Sequence, residues 1–147
     1  MDKIDVVAVY GTLRRGERNY ERLRGTPFLG SGVVGGALYD VPTAPGRPFP
    51  YPAFRPGNDG HVPVELYLLP DADLLADLDA FEGFDPADDA GSQYARRVID
   101  VIDGPVRRAW IYVHQGPEAE LGEPIPDADW VRYRVEGRSG TVRPERA

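Results

Sequence analysis

Residues 4–16 read Ile4-Asp5-Val6-Val7-Ala8-Val9-Tyr10-Gly11-Thr12-Leu13-Arg14-Arg15-Gly16, an apolar run that ends abruptly in a polar loop containing glycine. The apolar part shows little alternation, which predicts a strand buried on both faces. Gly11 permits a sharp turn or a close backbone approach that a Cβ would block. A central strand that stops there leaves backbone N–H groups unpaired, and these can bind a ligand oxygen. Local composition alone favours a simpler interpretation, an N-terminal strand followed by an ordinary turn.

The composition is that of one folded domain. The chain has 147 residues, 41% of them hydrophobic, which suffices for a single core. It has no cysteine, which excludes disulfides, thiol nucleophiles and cysteine metal sites and fits a cytoplasmic protein. The formal net charge of −7 argues against a nucleic-acid partner. No apolar run reaches the length of a membrane span and no secretory signal is visible, so we expect no membrane association.

The order of elements predicts an α+β fold, in which a mixed, curled or closed β-barrel is flanked by one or two helices. The clearest helix covers Asp71 to Phe81, with Asp71 or Asp73 as its N-cap and Gly83 as a left-handed residue after its end. A shorter helix is predicted over Asn19 to Arg24. Strands are predicted within Phe28 to Val41 and over His61 to Leu69, Tyr94 to Ile102, Arg107 to His114 and, finally, Trp130 to Val135.

The connections between these elements are rich in proline and glycine. Gly35 and Gly36 indicate a bulge that helps a sheet curl. Residues from Pro42 to Pro56 include six prolines and are predicted to be irregular. The folded domain is expected to cover residues 1–136, followed by a flexible tail over residues 137–147.

Glu82 is the acid best suited to chemistry. It follows the apolar helix face formed by Leu74, Leu75, Leu78 and Phe81, which puts it near the boundary of the core. It also lies at the negative end of the helix dipole, which raises the pKa of a carboxyl group, as a general base needs. The alternative is a surface glutamate before a C-cap glycine, and the residues alone favour that alternative.

The other acids are weaker candidates. Glu65 shares a strand face with Tyr67 and could point inward, although such a residue more often faces water or pairs with an arginine. Asp77, Asp79 and Asp85 are most simply explained as solvated side chains.

Several common kinds of site lack their signatures. His61 and His114 are the only histidines and lie far apart, so no metal site is expected. No G-x-S-x-G segment supports a serine nucleophile. The segment Gly11 to Gly16 lacks the lysine and spacing of a phosphate-binding loop.

Six segments, taken together and in order, resemble the γ-glutamylcyclotransferase-like family. This superfamily includes γ-glutamylamine cyclotransferases, the AIG2-like proteins of plants and the butirosin-pathway cyclotransferase. The matching segments span residues 4–114 and are Tyr10 to Gly16, Tyr51-Pro52-Ala53 (Y-P-G), Val64-Glu65-Leu66-Tyr67 (G-E-L-Y), Leu78 to Gly83 (L-D-x-[YF]-E-G), Tyr94-Ala95-Arg96 (Y-x-R) and Ala109 to Val113 (A-x-x-Y-V). Val64 and Ala53 replace family glycines, which adds a Cβ near the expected pocket wall.

The resemblance implies a cofactor-independent enzyme acting on a small γ-glutamyl substrate. The α-amine of the substrate would attack its own γ-carbonyl, giving 5-oxoproline and a free amine, with Glu82 as general acid/base. The substrate-binding residues would be Tyr10, Gly11, Thr12, Leu13, Arg14, Arg15 and Tyr112. Tyr94 and Arg96 are weaker candidates, because an arginine there could bind the α-carboxylate or form an ordinary cross-strand pair.

Two other functions stay open at this point. One is a non-catalytic binding or regulatory domain that keeps the pocket. The other is a glycoside hydrolase that uses Glu65 and Glu82, which would need carboxyl groups about 5–9.5 Å apart across a cleft. The sequence does not predict the leaving amine or the oligomeric state.

Overall fold

A computed structural model describes residues 4–17, 19–23, 25–41, 51–116 and 121–133. Its strands form a closed barrel in the order β1-β3-β2-β4-β5. Neighbouring strands are antiparallel except β1 and β5, which run parallel and close the barrel, so the predicted mixed barrel is confirmed. The strands are β1 Val6–Val9, β2 Phe28–Val41, β3 Tyr51–Leu68, β4 Tyr94–Asp103 and β5 Arg108–His114.

The main helix, α1, covers Ala72–Glu82 and lies as predicted. Asp71 is its N-cap, and its side chain accepts a hydrogen bond from the backbone N–H of Leu74 over 2.9 Å. The helix predicted near residue 20 is a single 3₁₀ turn, Tyr20–Leu23. Further 3₁₀ turns cover Pro86–Gly91 and Pro126–Ala128.

The strand predicted to begin at Trp130 is wrong. Trp130–Arg132 form a short helix, α2, because the Asp129 side chain caps it by accepting a hydrogen bond from the backbone N–H of Arg132. Trp130 is fully buried and packs against the side chains inside the barrel. The predicted tail over residues 137–147 lies outside the described residues.

β1 is buried on both faces, as its unbroken apolar sequence predicts. Val6 and Ala8 point into the barrel, where they join one face of β2, β3 and β5. Val7 and Val9 point outward and pack under α1. This strand therefore links the two hydrophobic clusters of the molecule.

β2 and β3 form the longest strand pair and curl around the barrel. Their register shifts between Gly35 and Gly36, which confirms the predicted bulge. Gly36 has a φ of +150°, and a Cβ there would overlap the backbone of Arg55, so a larger residue would not fit. The predicted irregular segment is wrong from Tyr51 to Pro56, because these residues pair with β2 and belong to β3. Residues 42–50 lie outside the described part of the chain.

The parallel pairing of β1 and β5 decides where a site can form. The two strands pair at Val7 and Trp110. Because they run in the same direction, both C-terminal ends lie at one end of the barrel, with Tyr10 after β1 and Tyr112 late in β5. The loop that follows Tyr10 therefore begins beside the outward-facing residues of β5.

Candidate active site

Glu82 is placed by the way α1 ends. Gly83 adopts a left-handed conformation with a φ of +75°. Its N–H donates to the carbonyl of Ala80, and the N–H of Phe84 donates to the carbonyl of Asp79 over 2.8 Å. This is the Schellman pattern, which turns the chain back so that Phe84 is buried in the cluster under α1. The turn holds Glu82, the last residue of the helix, in a partly buried position.

Glu82 lies within electrostatic reach of two buried tyrosines. Its charge acts on the hydroxyl of Tyr10, at the end of β1, and on that of Tyr112, in β5. The Tyr10 hydroxyl donates a hydrogen bond to the backbone carbonyl of Tyr112 over 2.7 Å, which ties the ends of the two strands together. The ends of the two strands are therefore held together, and both tyrosine hydroxyls lie within reach of the Glu82 charge.

The surroundings make Glu82 an unusual acid. Burial raises the pKa of its carboxyl group to about 7, and the Arg22 guanidinium opposes part of that rise. Burial and then the Glu82 carboxylate raise the pKa of Tyr10. Burial first, then the hydrogen bond to Asp79, raises the pKa of Tyr112. Both tyrosines therefore stay protonated at neutral pH, while Glu82 can both take up and release a proton.

The loop after β1 contains a tight turn. The N–H of Arg14 donates to the carbonyl of Gly11 over 2.9 Å, and the Asn19 side chain donates to the Thr12 hydroxyl over 3.0 Å. Among the described residues, none accepts a hydrogen bond from the backbone N–H of Gly11, Thr12 or Leu13. A Cβ at Gly11 would overlap the ring of Pro52. The glycine therefore lets the loop backbone lie close to Pro52, as the sequence suggests.

Glu65 holds this loop against the barrel. One of its carboxylate oxygens accepts hydrogen bonds from the Arg15 backbone N–H and the Tyr67 hydroxyl, each over 2.9 Å. The other pairs with the Arg14 guanidinium at 3.2 Å, and Arg14 also reaches Asp129. Of the two environments expected for Glu65, water or an arginine partner, the structure has the arginine partner. A carboxylate bound in this way is not available as the second reactive acid of a glycoside hydrolase.

The sequence pattern of one family covers most of the chain. The family described as "Gamma-glutamyl cyclotransferase, AIG2-like" matches residues 7–132. The chain belongs to this family. Over 129 residues it is 36% identical to a Vibrio cholerae protein named "Putative gamma-glutamylcyclotransferase", a match that covers 85% of this chain and 94% of the relative. Membership supports a γ-glutamyl cyclotransferase activity in general terms.

Solved structures share the fold. An uncharacterized protein from Pyrococcus horikoshii matches with a TM-score of 0.67 and 24% identity, over 95% of this chain and 100% of that one. An AIG2-like protein from Mus musculus matches with a TM-score of 0.58 and 24% identity, over 83% of this chain and 86% of that one. At this identity the likeness concerns the cyclotransferase fold.

Two of the family-derived site residues, Tyr10 and Tyr112, lie within electrostatic reach of Glu82. The side chains of the loop residues have other partners: Leu13 is buried under α1, and the Arg15 guanidinium lies 4.2 Å from the centre of the Phe28 ring. A substrate contact from Gly11, Thr12, Leu13, Arg14 or Arg15 stays a prediction.

Asp79 is where the sequence interpretation is wrong. It is 6% exposed, not solvated. The Arg96 guanidinium donates to both of its carboxylate oxygens, at 2.8 and 3.2 Å, and the Tyr112 hydroxyl donates to Oδ1 over 2.7 Å. Arg96 therefore forms a partly buried ion pair with Asp79, and its cross-strand neighbour Tyr112 shares the same acceptor. The signal that could have found this network is the D-x-x-E spacing, which turns both acids toward the sheet.

Tyr94 has a supporting role behind the site. Its hydroxyl donates to the backbone carbonyl of Pro52 over 3.0 Å, and Pro52 packs on Gly11.

Within the described residues there is no group of three or more histidines or acids placed to hold a metal ion. The described helices also include none that is long and apolar enough to cross a membrane.

Glu65→Ala is expected to destabilise the protein by about 3 kcal/mol, because Arg14, the Arg15 N–H and the Tyr67 hydroxyl would lose a buried acceptor. Urea unfolding measures the change. Asp77→Ala, an exposed acid on α1, is the matched control and should change the free energy of unfolding by no more than about 0.5 kcal/mol. Equal effects of the two substitutions would contradict the anchoring role of Glu65.

Glu82→Gln is expected to raise stability at pH 8 and to leave it unchanged at pH 4. The folded-state pKa of about 7 exceeds the ordinary 4.5, so the native state binds more protons between these values and loses stability as pH rises through them. Glutamine does not ionise, so the variant should gain about 1–3 kcal/mol at pH 8. Thermal unfolding across this range measures the gain, and a difference independent of pH would contradict the assignment.

Proposed function

We propose that this protein is a γ-glutamyl cyclotransferase that converts a γ-glutamyl amide into 5-oxoproline and a free amine. The proposal is supported by the partly buried Glu82 carboxylate at the end of α1, because burial raises its pKa to about 7 and its charge acts on Tyr10, the residue before the Gly11 turn. An acid in that state can remove a proton from an ammonium group and return one to a leaving nitrogen.

The reaction asks little of the protein beyond proton transfer and charge stabilisation. The attacking α-amine and the γ-carbonyl belong to the same molecule, so their effective concentration is high once the substrate is folded into its reactive conformation. The site must hold that conformation, accept a proton, stabilise an oxyanion and donate a proton. No step needs an oxidant, a reductant or a second substrate.

Each step has a candidate group. The Glu82 carboxylate takes a proton from the α-ammonium, and the freed amine attacks the γ-carbonyl to form a five-membered ring with a tetrahedral oxyanion. Protonated Glu82 then gives its proton to the leaving nitrogen, the oxyanion collapses and the bond to that nitrogen breaks. The ring nitrogen still carries both hydrogens of the attacking amine, and it loses one of them to the Glu82 carboxylate, which passes that proton to the departing amine. The products are 5-oxoproline and the amine, and Glu82 returns to its carboxylate form.

The turn after β1 supplies the candidate oxyanion site. Backbone N–H groups of Gly11, Thr12 and Leu13 have no acceptor among the described residues, which leaves them available to a ligand oxygen. In studied acyl-transfer enzymes one such donor contributes about 10²–10³ in rate. Glu65 fixes the loop through Arg14 and Arg15, so these donors would need no rearrangement during the reaction.

Glu82→Gln is expected to lower the rate of 5-oxoproline release by at least about 10²–10⁴, because the amide cannot transfer the proton. The loss should be measured with a panel of γ-glutamyl amino acids, γ-glutamyl-lysine and γ-glutamyl polyamines. Asp77→Asn removes an exposed carboxylate from the same helix and should keep full activity.

A binding assay separates this enzyme from a non-catalytic binding domain. A γ-glutamyl compound should raise the melting temperature of Glu82→Gln as it does that of the unmodified protein. Stabilisation of the unmodified protein without release of the amine would favour the binding domain instead.

The value of kcat/KM is expected to rise with pH and to level off above an apparent pKa near 7, because the free enzyme needs Glu82 ionised. Initial rates between pH 5 and 8 measure this limb of the profile. A rate independent of pH across that range would contradict the role of Glu82 as the base.

A further inference from the structure

The two tyrosine hydroxyls near Glu82 have their protons committed to other acceptors. The Tyr112 hydroxyl donates to Asp79 Oδ1 over 2.7 Å, and the Tyr10 hydroxyl donates to the backbone carbonyl of Tyr112 over 2.7 Å. A phenol has only one proton, so each group can offer Glu82 nothing but lone pairs. Within the described chain, no group donates a hydrogen bond to the Glu82 carboxylate.

The acceptor that takes the Tyr112 proton is itself firmly held. Asp79 is 6% exposed, and the Arg96 guanidinium donates to both of its oxygens. Arg96 in turn lies over the Trp110 ring, 4.3 Å from its centre. A bidentate pair that is also stacked fixes the carboxylate in one orientation, so the direction of the Tyr112 hydroxyl is fixed with it.

We propose that Asp79, held by Arg96, is a positioning residue that keeps the Tyr112 proton turned away from Glu82. A hydroxyl that donated to the Glu82 carboxylate would stabilise its ionised form and make it a weaker base. That a more basic Glu82 is useful to the protein rests on the proposed cyclisation. The direction of the Tyr112 hydroxyl proton does not rest on it.

The other groups that face Glu82 act in known directions. The charge of Glu82 acts on Tyr10, at the end of β1, and on Tyr112, in β5, and Asp79 lies three residues before Glu82 on α1. Arg22, on the 3₁₀ turn Tyr20–Leu23, is the cation that lowers the pKa of Glu82, and its guanidinium lies 4.0 Å from the centre of the Phe81 ring. Removing the charge of Arg22 should therefore shift the ionisation of Glu82 the opposite way from removing Asp79.

The test is an NMR titration of the Glu82 side-chain carboxyl, labelled with ¹³C and assigned by its loss in Glu82→Gln. Asp79→Ala and Arg96→Met are made together, so that the net charge stays the same and no buried charge is left unpaired. The pKa of Glu82 should fall by about one to two pH units, because the Tyr112 hydroxyl, released by Asp79, then turns to the carboxylate three residues further along the same helix. Arg22→Gln should raise it.

The Tyr112→Phe background isolates the hydroxyl. There the paired substitution should leave the pKa of Glu82 unchanged, because no proton can turn toward it. An equal fall in both backgrounds, or no fall in either, would overturn the proposal. The apparent pKa of the acidic limb of kcat/KM should fall by the same amount in the paired variant, and only when Tyr112 is present. A merely structural role of Asp79 would not produce this dependence on Tyr112.

A measurement on the unmodified protein covers the case in which the paired variant does not fold. With ¹³C-labelled tyrosine, the Tyr112 hydroxyl proton should show a nuclear Overhauser effect to the Asp79 β-protons and none to the Glu82 γ-protons. The reverse pattern would overturn the proposal. None of these titrations needs turnover, so an inactive protein with the expected titration would refute only the proposed cyclisation.

Discussion

The Glu82 carboxylate is partly buried and, among the described residues, receives no hydrogen bond, and this constraint explains the arrangement around it. The Schellman turn at Gly83 returns the chain to the core through Phe84, which leaves Glu82 at the helix end, where its charge acts on Tyr10 and Tyr112. Burial then raises the pKa of the carboxyl group to about 7. A group that titrates near neutral pH is suited to move a proton in both directions, at some cost to the stability of the native state.

The site contrasts two glutamates in different environments, and the contrast separates their roles. Glu65 accepts hydrogen bonds from Arg14, the Arg15 N–H and the Tyr67 hydroxyl, so it is a structural anchor for the loop after β1. Glu82 lacks such donors and keeps its basicity. Under the proposed function, the environment of each glutamate and not its residue type makes Glu65 the anchor and Glu82 the base. The same logic extends to Asp79, whose bonds from Arg96 and Tyr112 make it a support for the neighbouring hydroxyl.

Features with local signals could be predicted from the sequence. α1 follows from its cap and apolar spacing, the doubly buried β1 from its unbroken apolar run, and the bulge from Gly35-Gly36. The importance of Glu82 came from the resemblance, since its local pattern also fits a surface acid. Features that depend on distant partners were missed. The sequence predicts a solvated Asp79, because the partner that buries it, Arg96, comes from β4. It predicts an irregular segment over residues 51–56, because the strand that pairs with them, β2, is distant in sequence. Trp130 begins a helix because Asp129 caps it, in competition with its strand propensity.

A crystal structure of Glu82→Gln with an unreacted γ-glutamyl amide tests the central claim most directly. The account predicts the substrate at the end of β1, with its α-nitrogen within hydrogen-bond distance of the side chain at position 82. Its γ-carbonyl oxygen should accept hydrogen bonds from the backbone N–H groups of residues 11–13. A substrate bound elsewhere on the barrel, or bound there with its α-nitrogen turned away from position 82, would contradict the account.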